Sequence, residues 1–573
     1  SKYEGVSILI FDQTCAAEKR RRRKRGLMED PKKRVVINKD VCEGCGDCSV
    51  QSNCVSIEPL ETELGRKRKI NQSNCNKDYS CIKGFCPSFV TVDAEIKNNT
   101  GFKDLGELPE PQFKTNQDVN NIMLTGIGGT GVLTISAILA YAAHYEGKDA
   151  SVLDMTGLAQ KGGAVWSHIK IFEKNNKPYS QKIAPGAANV LLACDGVVGT
   201  KPEIQEVISK EKTIAVLNSN TIPVADFITQ RDIDFKNNDV FRMLENTTNK
   251  IISSVPAINI SEKLSGDAIG TNMLMLGSAY QNGLIPLKAE NIFKAIELNG
   301  IGIERNIYNF NLGRLYTINP NHEIFSFLAE NEVLNLNSIE LFEDRLKRIE
   351  NYDQRVVDDF IKDKNTIDQI LSEEADTENI TKEAIKELYR VYAIKDEYEV
   401  ARMHLESTSK ILDNTFTAWN NLKFYLSPPI ISFIKDKRTQ RPIKIAIPGY
   451  IALPIFKILK SMKFLRGTIF DPLNLTEDRR RDKEHKAIFR NKLAEISNLI
   501  TGVKSNKLLE LIEASKEVKG YGPVRAKSYE IFKSRINFTN KKRLWVLSNL
   551  FRFKTRSNIQ AKKHKAQEEN RAG

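Results

Sequence analysis

Seven of the nine cysteines in this 573-residue chain lie between positions 42 and 86, and no histidine falls between 35 and 100. An odd count and the absence of a secretory leader argue against a disulfide framework, because thiols of a reducing compartment stay free. A four-thiolate zinc site usually draws on two separated C-x2-C pairs. Here Cys42-Glu-Gly-Cys45-Gly-Asp-Cys48 is instead a C-x2-C-x2-C triplet. Three thiolates at that pitch wrap one loop around three corners of an iron–sulfur cubane and leave the fourth corner to a distant cysteine. That distant ligand is commonly followed by proline. Cys54 precedes Val55 and Cys86 precedes Pro87, so the quartet is read as Cys42, Cys45, Cys48 and Cys86.

Cys54, Cys75 and Cys81 then remain. They could hold a second cluster with a non-cysteine ligand, for which Asp78 is the nearest candidate. They could hold a three-iron cluster, Cys54 could replace Cys86 in the first site, or some could be buried thiols; all four readings stay open. A cluster relays single electrons, so the rest of the chain is expected to serve a redox reaction.

The second chemical signal is glycine-rich. Gly126, Gly128 and Gly131, with Gly129 between them, spell G-x-G-x-x-G between an apolar strand and a helix, and Asp154 ends the next strand. This is the pattern of a dinucleotide turn, in which a pyrophosphate approaches a helix N-terminus and the acid binds ribose. A turn that merely packs helix on sheet spells the same pattern. Lys161, Gly162 and Gly163 form a second glycine-rich loop, and two such loops on one sheet edge could cradle a phosphate-bearing ligand with Lys161 as counter-charge. His168 lies within a strand and reads as a satisfied core histidine. No catalytic residue is identified.

These residues need elements to hold them. Residues 35–96 have little helical periodicity and read as a small cofactor-stapled domain, followed by an Asn-, Gly- and Pro-containing linker at 97–118. From 119 to 320, "NIMLT", "ASVLDM", "VWSHIKIF", "ANVLLAC" and "TIAVLNS" read as strands alternating with helices. They predict an α/β, Rossmann-like domain with a mainly parallel sheet. The helix "GVLTISAILAYAAHYEG" should close at Gly147. Residues 330–540 carry charged, helix-period segments and predict a mostly α-helical C-terminal domain. Hydrophobic residues make up 41% of the chain, which fits globular domains rather than disorder. The uncharged run 122–144 is interrupted by the glycines, so no membrane span is expected.

The formal charge of +14 is concentrated in "KRRRRKR" at 19–25 and in a basic tail at 541–573. Both are read as solvated or interdomain segments rather than a nucleic-acid interface. The chain begins at Ser1 with a strand-like segment and is read as part of something longer.

Beyond these readings, "GIGGTGVLTISAILAYAAH" followed by "SVLDMTGLAQKGGAVWSHIKI" resembles the gamma domain of the 2-oxoacid:ferredoxin oxidoreductases, most nearly the fused indolepyruvate type. The cysteine block resembles the ferredoxin-like segment that precedes that domain. "LIFDQTCAAEKRRRRKRG" in residues 1–34 resembles the edge of a thiamine-diphosphate domain, with Cys15 as a packing residue. "YAIKDEYEVARMH" and "KGYGPVR" resemble the helical extension of the fused forms. The resemblance implies oxidative decarboxylation of a 2-oxo acid to acyl-CoA, with electrons passed through one [4Fe-4S] cluster, or two, to ferredoxin. It implies coenzyme A as co-substrate, held at Gly126–Gly131 and Lys161–Gly163. It further implies a cytoplasmic homo-oligomer. No Gly-Asp-Gly thiamine motif occurs, so thiamine diphosphate and magnesium are expected in a missing portion or a partner subunit. Two other readings are a NAD- or FAD-linked iron–sulfur reductase and a zinc-stapled, basic nucleic-acid-binding protein.

Overall fold

A computed structural model describes residues 5–8, 10, 12, 14–96, 102–113, 118–156, 163–220, 237–330, 336–372, 374, 377–428, 433–437, 439–474, 476–500 and 503–537. Lys161, Gly162 and the basic tail lie outside the described residues. The strands in chain order are β1 (Lys33–Ile37), β2 (Ile57–Leu60), β3 (Lys67–Ile70), β4 (Phe89–Ile96), β5 (Val119–Ile127), β6 (Asp149–Met155), β7 (Ala164–Phe172), β8 (Val190–Ala193), β9 (Ile214–Asn218), β10 (Lys250–Val255), β11 (Phe416–Leu426) and β12 (Ile445–Pro448).

The central sheet has the order β10-β9-β8-β5-β7-β6. Its middle strands are largely apolar, and both of its faces are covered. Side chains alternate across it: Ile122, Leu124, Leu192 and Val216 enter one core, and Met123, Leu191, Ala193, Ala215 and Leu217 enter the other. The β10, β9, β8 and β5 pairings are parallel, while β7 runs antiparallel to both β5 and β6. Only eight residues separate β6 from β7, too few for the dozen-residue crossover a parallel pair requires. The sheet is therefore mixed, with one reversed strand in the expected parallel frame. The helix Val132–Tyr145 packs its Ile135, Ile138, Leu139 and Ala142 stripe on this sheet. It closes as expected: Gly147 adopts φ +78°, and the Lys148 N–H donates back to the Ala143 carbonyl at 2.9 Å.

The smaller sheet draws two strands from the mostly helical C-terminal half. Its order is β1-β4-β11-β12, antiparallel throughout, so strands from 416–448 complete the sheet begun at 33–96. Two strands alone are marginal in water. Val35, Ile37 and Phe89 point to the cysteines, and Val36, Val90, Val92 and Ala94 point the other way. That second face is covered by Ala401 and Leu412 of the helix Glu397–Thr415 and by Ala452 and Phe456 of the helix Gly449–Ser461.

The remaining C-terminal helices form their own core around Ile349, Phe360, Leu388, Phe489, Leu493 and Leu508. The first of them starts at a capping box, with Asn337 accepting from the Glu340 N–H and the Glu340 side chain accepting from the Asn337 N–H.

Candidate metal centre

Helix Asp47–Ser52 carries Cys48, the last cysteine of the triplet, and its first residue holds the loop of the distant cysteine. The Asp47 carboxylate accepts the Phe85 N–H at 2.8 Å, one residue before Cys86. Beside it, Gly84 lies so close that an added Cβ would stand 2.8 Å from the Cys48 Cα. Loops nearly forty residues apart are thereby pressed together.

Four thiols share this place. Burial pushes the Cys45 thiol far up, and Cys86, Cys48 and Cys42 push it further. Cys48 is raised by burial and then by Cys42 and Cys86. Cys86 is raised to about 11 by burial and by Cys42, opposed by the Ser88 hydroxyl 3.0 Å from its sulfur. The Gly44 N–H donates to the Cys42 sulfur at 3.3 Å. Cys42, Cys48 and Cys86 are buried and Cys45 is half-buried; a buried thiol needs a cation to exist as a thiolate, which is the condition a metal group satisfies.

Cys54 neighbours Cys75 and Cys81. Cys75 is raised by burial and by Cys54 and Asp78. Cys81 is raised to about 12 by burial, Cys75, Cys54 and Asp78. Asp78 stands three residues from each of Cys75 and Cys81, the same pitch as Cys42, Cys45 and Cys48. Its carboxylate accepts from the Ser80 N–H and hydroxyl at 3.1 and 2.9 Å. The basic run frames this second group. It forms the helix Ala16–Lys24, and Arg20 and Arg23 donate to the Asn74 and Asn76 carbonyls at 2.7 and 2.6 Å. The charge on Arg20 feels Cys54 first, then Asp267, Cys75 and Cys15. Cys15 is exposed just before that helix.

Among the described residues, no three His, Cys, Asp or Glu side chains converge closely enough to share one metal ion. A cluster has its irons at separate corners, so its ligand sulfurs stand apart. A donor set of cysteine sulfurs from two loops is one that would suit such a cluster.

Sequence reasoning missed the far partners of this centre. Lys444 donates to the Ile82 and Gly84 carbonyls at 2.9 and 2.7 Å, and burial lowers it to about 8. Arg441 donates to both Asp47 oxygens at 3.0 and 2.8 Å. Lys395 pairs with Glu43 at 3.0 Å. Burial alone would raise the Glu43 carboxyl, but Lys395 and Lys67 hold it well below its usual range. No periodic or spacing signal marks these residues.

The glycine turn lies at the carboxyl end of β5, where the sheet order departs in opposite directions toward β8 and β7. Ligands of open α/β sheets bind at such switch points. Gly126 lets the helix approach: a Cβ there would meet Val132 at 2.6 Å. Gly131 adopts φ +98° immediately before the helix, and Gly129 also has positive φ. The two glycine loops meet where the Gly128 N–H donates to the Gly163 carbonyl at 2.8 Å. Asn272 donates to the Thr130 carbonyl at 3.0 Å and so ties the turn to the helix Thr271–Gln281.

Asp154 accepts from Ser136 at 3.0 Å and Ser167 at 2.5 Å, with β7 interposed between its strand and the turn. The acid of the dinucleotide pattern is thus engaged in packing. His168 is buried, accepts the Ile183 N–H at 3.3 Å and has its pKa lowered by burial and by Lys182 and Lys170.

Residues 121–316 match the family described as pyruvate ferredoxin/flavodoxin oxidoreductase, and residues 340–537 match a family of unknown function (DUF6537). The indolepyruvate oxidoreductase subunit IorB of Archaeoglobus fulgidus is 28% identical over 177 residues, 31% of this chain and 83% of that protein. Its counterpart from Pyrococcus horikoshii is 25% identical over 197 residues, 34% of this chain and 93% of that protein. The pyruvate oxidoreductase subunit PORC of Thermotoga maritima aligns in structure at 20% identity and a TM-score of 0.24, covering 35% of this chain and 96% of that one.

Proposed function

We propose that this chain belongs to the 2-oxoacid:ferredoxin oxidoreductase family, a reading that the match of residues 121–316 supports, and that it is the electron-transfer and gamma portion of an indolepyruvate-type enzyme. The reaction is oxidative decarboxylation of a 2-oxo acid to acyl-CoA, with electrons delivered to ferredoxin. Thiamine diphosphate and magnesium belong to a separate portion or partner subunit.

The observation that carries this reading is the gathering of Cys42, Cys45 and Cys48 with Cys86 across nearly forty residues. These four residues hold a [4Fe-4S] cluster, which supplies a one-electron relay when bound. Cys54, Cys75 and Cys81, with Asp78 beside them, hold a second. The N–H of Gly44 and the Ser88 hydroxyl stabilise the ligand sulfurs.

The glycine turn at Gly126, Gly128, Gly129 and Gly131 binds the phosphates of coenzyme A, with Lys161, Gly162 and Gly163 as further binding residues. Its place at the switch point supports this role. Among the described residues no helix is long and apolar enough to cross a membrane; a cytoplasmic homo-oligomer is part of the same proposal.

Anaerobic purification of the chain, with iron and acid-labile sulfide quantified and EPR recorded after reduction, tests the reading. Equal iron and sulfide with a reduced-cluster signal is the expected result. Zinc without sulfide, or a bound flavin without iron, would overturn it.

A further inference from the structure

We infer that the C-terminal extension, residues 340–537, walls the cysteine quartet, and that Lys444 is its electrostatic element: an ammonium set between the two thiol groups that draws their reduction equilibrium toward the reduced state. This rests on the cluster assignment proposed above and gives the extension a role in that assignment.

The extension reaches the quartet from three directions. The Lys395 ammonium donates to the Cys42 carbonyl at 3.0 Å, and the Tyr521 hydroxyl donates to the Val41 carbonyl at 2.5 Å. At Gly520 the main chain runs so close that an added Cβ would stand 3.3 Å from the Cys45 Cβ. Arg441 holds Asp47, whose carboxylate in turn holds the Phe85 N–H. Water is thereby kept from the quartet on the side of the extension.

Excluding water from a cluster penalises its more negative, reduced form, because charge is poorly screened in a low dielectric. A buried cation offsets that penalty. Most cations on this wall are compensated: Lys395 by Glu43, Arg441 by Asp47 and Arg525 by Asp482. Lys444 forms no ion pair among the described residues; its ammonium is held by two carbonyls and lies 5.0 Å from the centroid of the Phe89 ring. The charges it feels are Cys86 first, then Asp47, Cys81 and Cys48. The carbonyls it holds lie next to thiols of both groups: Ile82 follows Cys81, and Gly84 is two residues before Cys86. Net charge is one of the terms that set a cluster's potential.

EPR-monitored redox titration of the full chain tests the inference with two variants. Lys444→Gln keeps a donor for the carbonyls and removes the charge, and Lys444→Arg keeps the charge. The expected result is a Lys444→Gln protein with full iron whose quartet reduction equilibrium moves about tenfold toward the oxidised state, about 59 mV for one electron. Lys444→Arg should stay near wild type. Iron loss in Lys444→Gln alone, with Lys444→Arg intact, would also support a required charge. Iron loss in both variants, or an iron-replete Lys444→Gln protein with unchanged potential, would overturn the inference. Wild-type protein without iron would instead overturn the cluster assignment beneath it.

Discussion

The quartet and the Cys54, Cys75 and Cys81 group occupy one small unit, yet opposite ends of the chain enclose them. The quartet is enclosed by residues 395–525, whose side chains grip its loops through carbonyls and carboxylates. The second group is framed by the N-terminal basic helix, and two of its three thiols remain partly accessible. The quartet has four cysteines, whereas the second group has three and a carboxylate. Ligand softness and burial both favour the quartet as the tighter site. Under the proposed function the two would form a relay with a deep member and a shallow one, each enclosed by a different part of the chain.

That contrast can be broken at several points. Gly84→Val forces a side chain against the Cys48 backbone, where even a Cβ has 2.8 Å. It should remove the quartet's iron and leave the second group's EPR signal; equal loss of both signals would show the two sites are not separable. Asp78→Ala should strip one iron from the second group, while Asp78→Cys keeps it. Mössbauer spectra of the two variants decide, and identical spectra would remove Asp78 from the ligand set.

A smaller effect concerns His404, whose ring nitrogens meet the Pro87 carbonyl and the Thr408 hydroxyl at 3.0 Å, next to Cys86. Burial lowers its pKa to about 4. Above the ordinary histidine value of about 6.5 both folded and unfolded states are neutral. Between that value and 4 only the unfolded chain takes up the proton, so stability is full above 6.5 and is lost as pH falls through 4. The loss should be roughly 3 kcal/mol. Thermal midpoints measured from pH 7 to 4 should show this slope, and His404→Gln should flatten it.

The smallest effect lies away from the thiols. Gly126→Ala, crowding Val132, should cost about 1–3 kcal/mol in chemical denaturation while leaving iron content unchanged.

What the sequence made legible follows from how local each signal is. The C-x2-C-x2-C triplet and Cys86-Pro87 are short patterns, and the structure presses their two loops together at Cys48 and Gly84. The strand "NIMLT" and the helix ending at Gly147 are equally local. The reversed strand β7 was legible only as a loop length, the eight residues between Met155 and Ala164. Strand β11 was not legible. Register breaks between Phe416 and Ala418, and between Asn420 and Lys423, destroy the two-residue alternation that marks a strand. The contacts of Arg20, Arg23 and Lys444 were invisible for another reason: their acceptors are backbone carbonyls, which any residue presents.

The central claim is that Cys86, and not Cys54, completes the quartet. Iron, sulfide and EPR measured on Cys86→Ala and Cys54→Ala proteins, purified anaerobically side by side, test it most directly. The account predicts that Cys86→Ala abolishes the quartet's signal and Cys54→Ala leaves that signal intact while disturbing the second. A Cys54→Ala protein lacking the quartet's signal, beside a Cys86→Ala protein that retains it, would contradict the account.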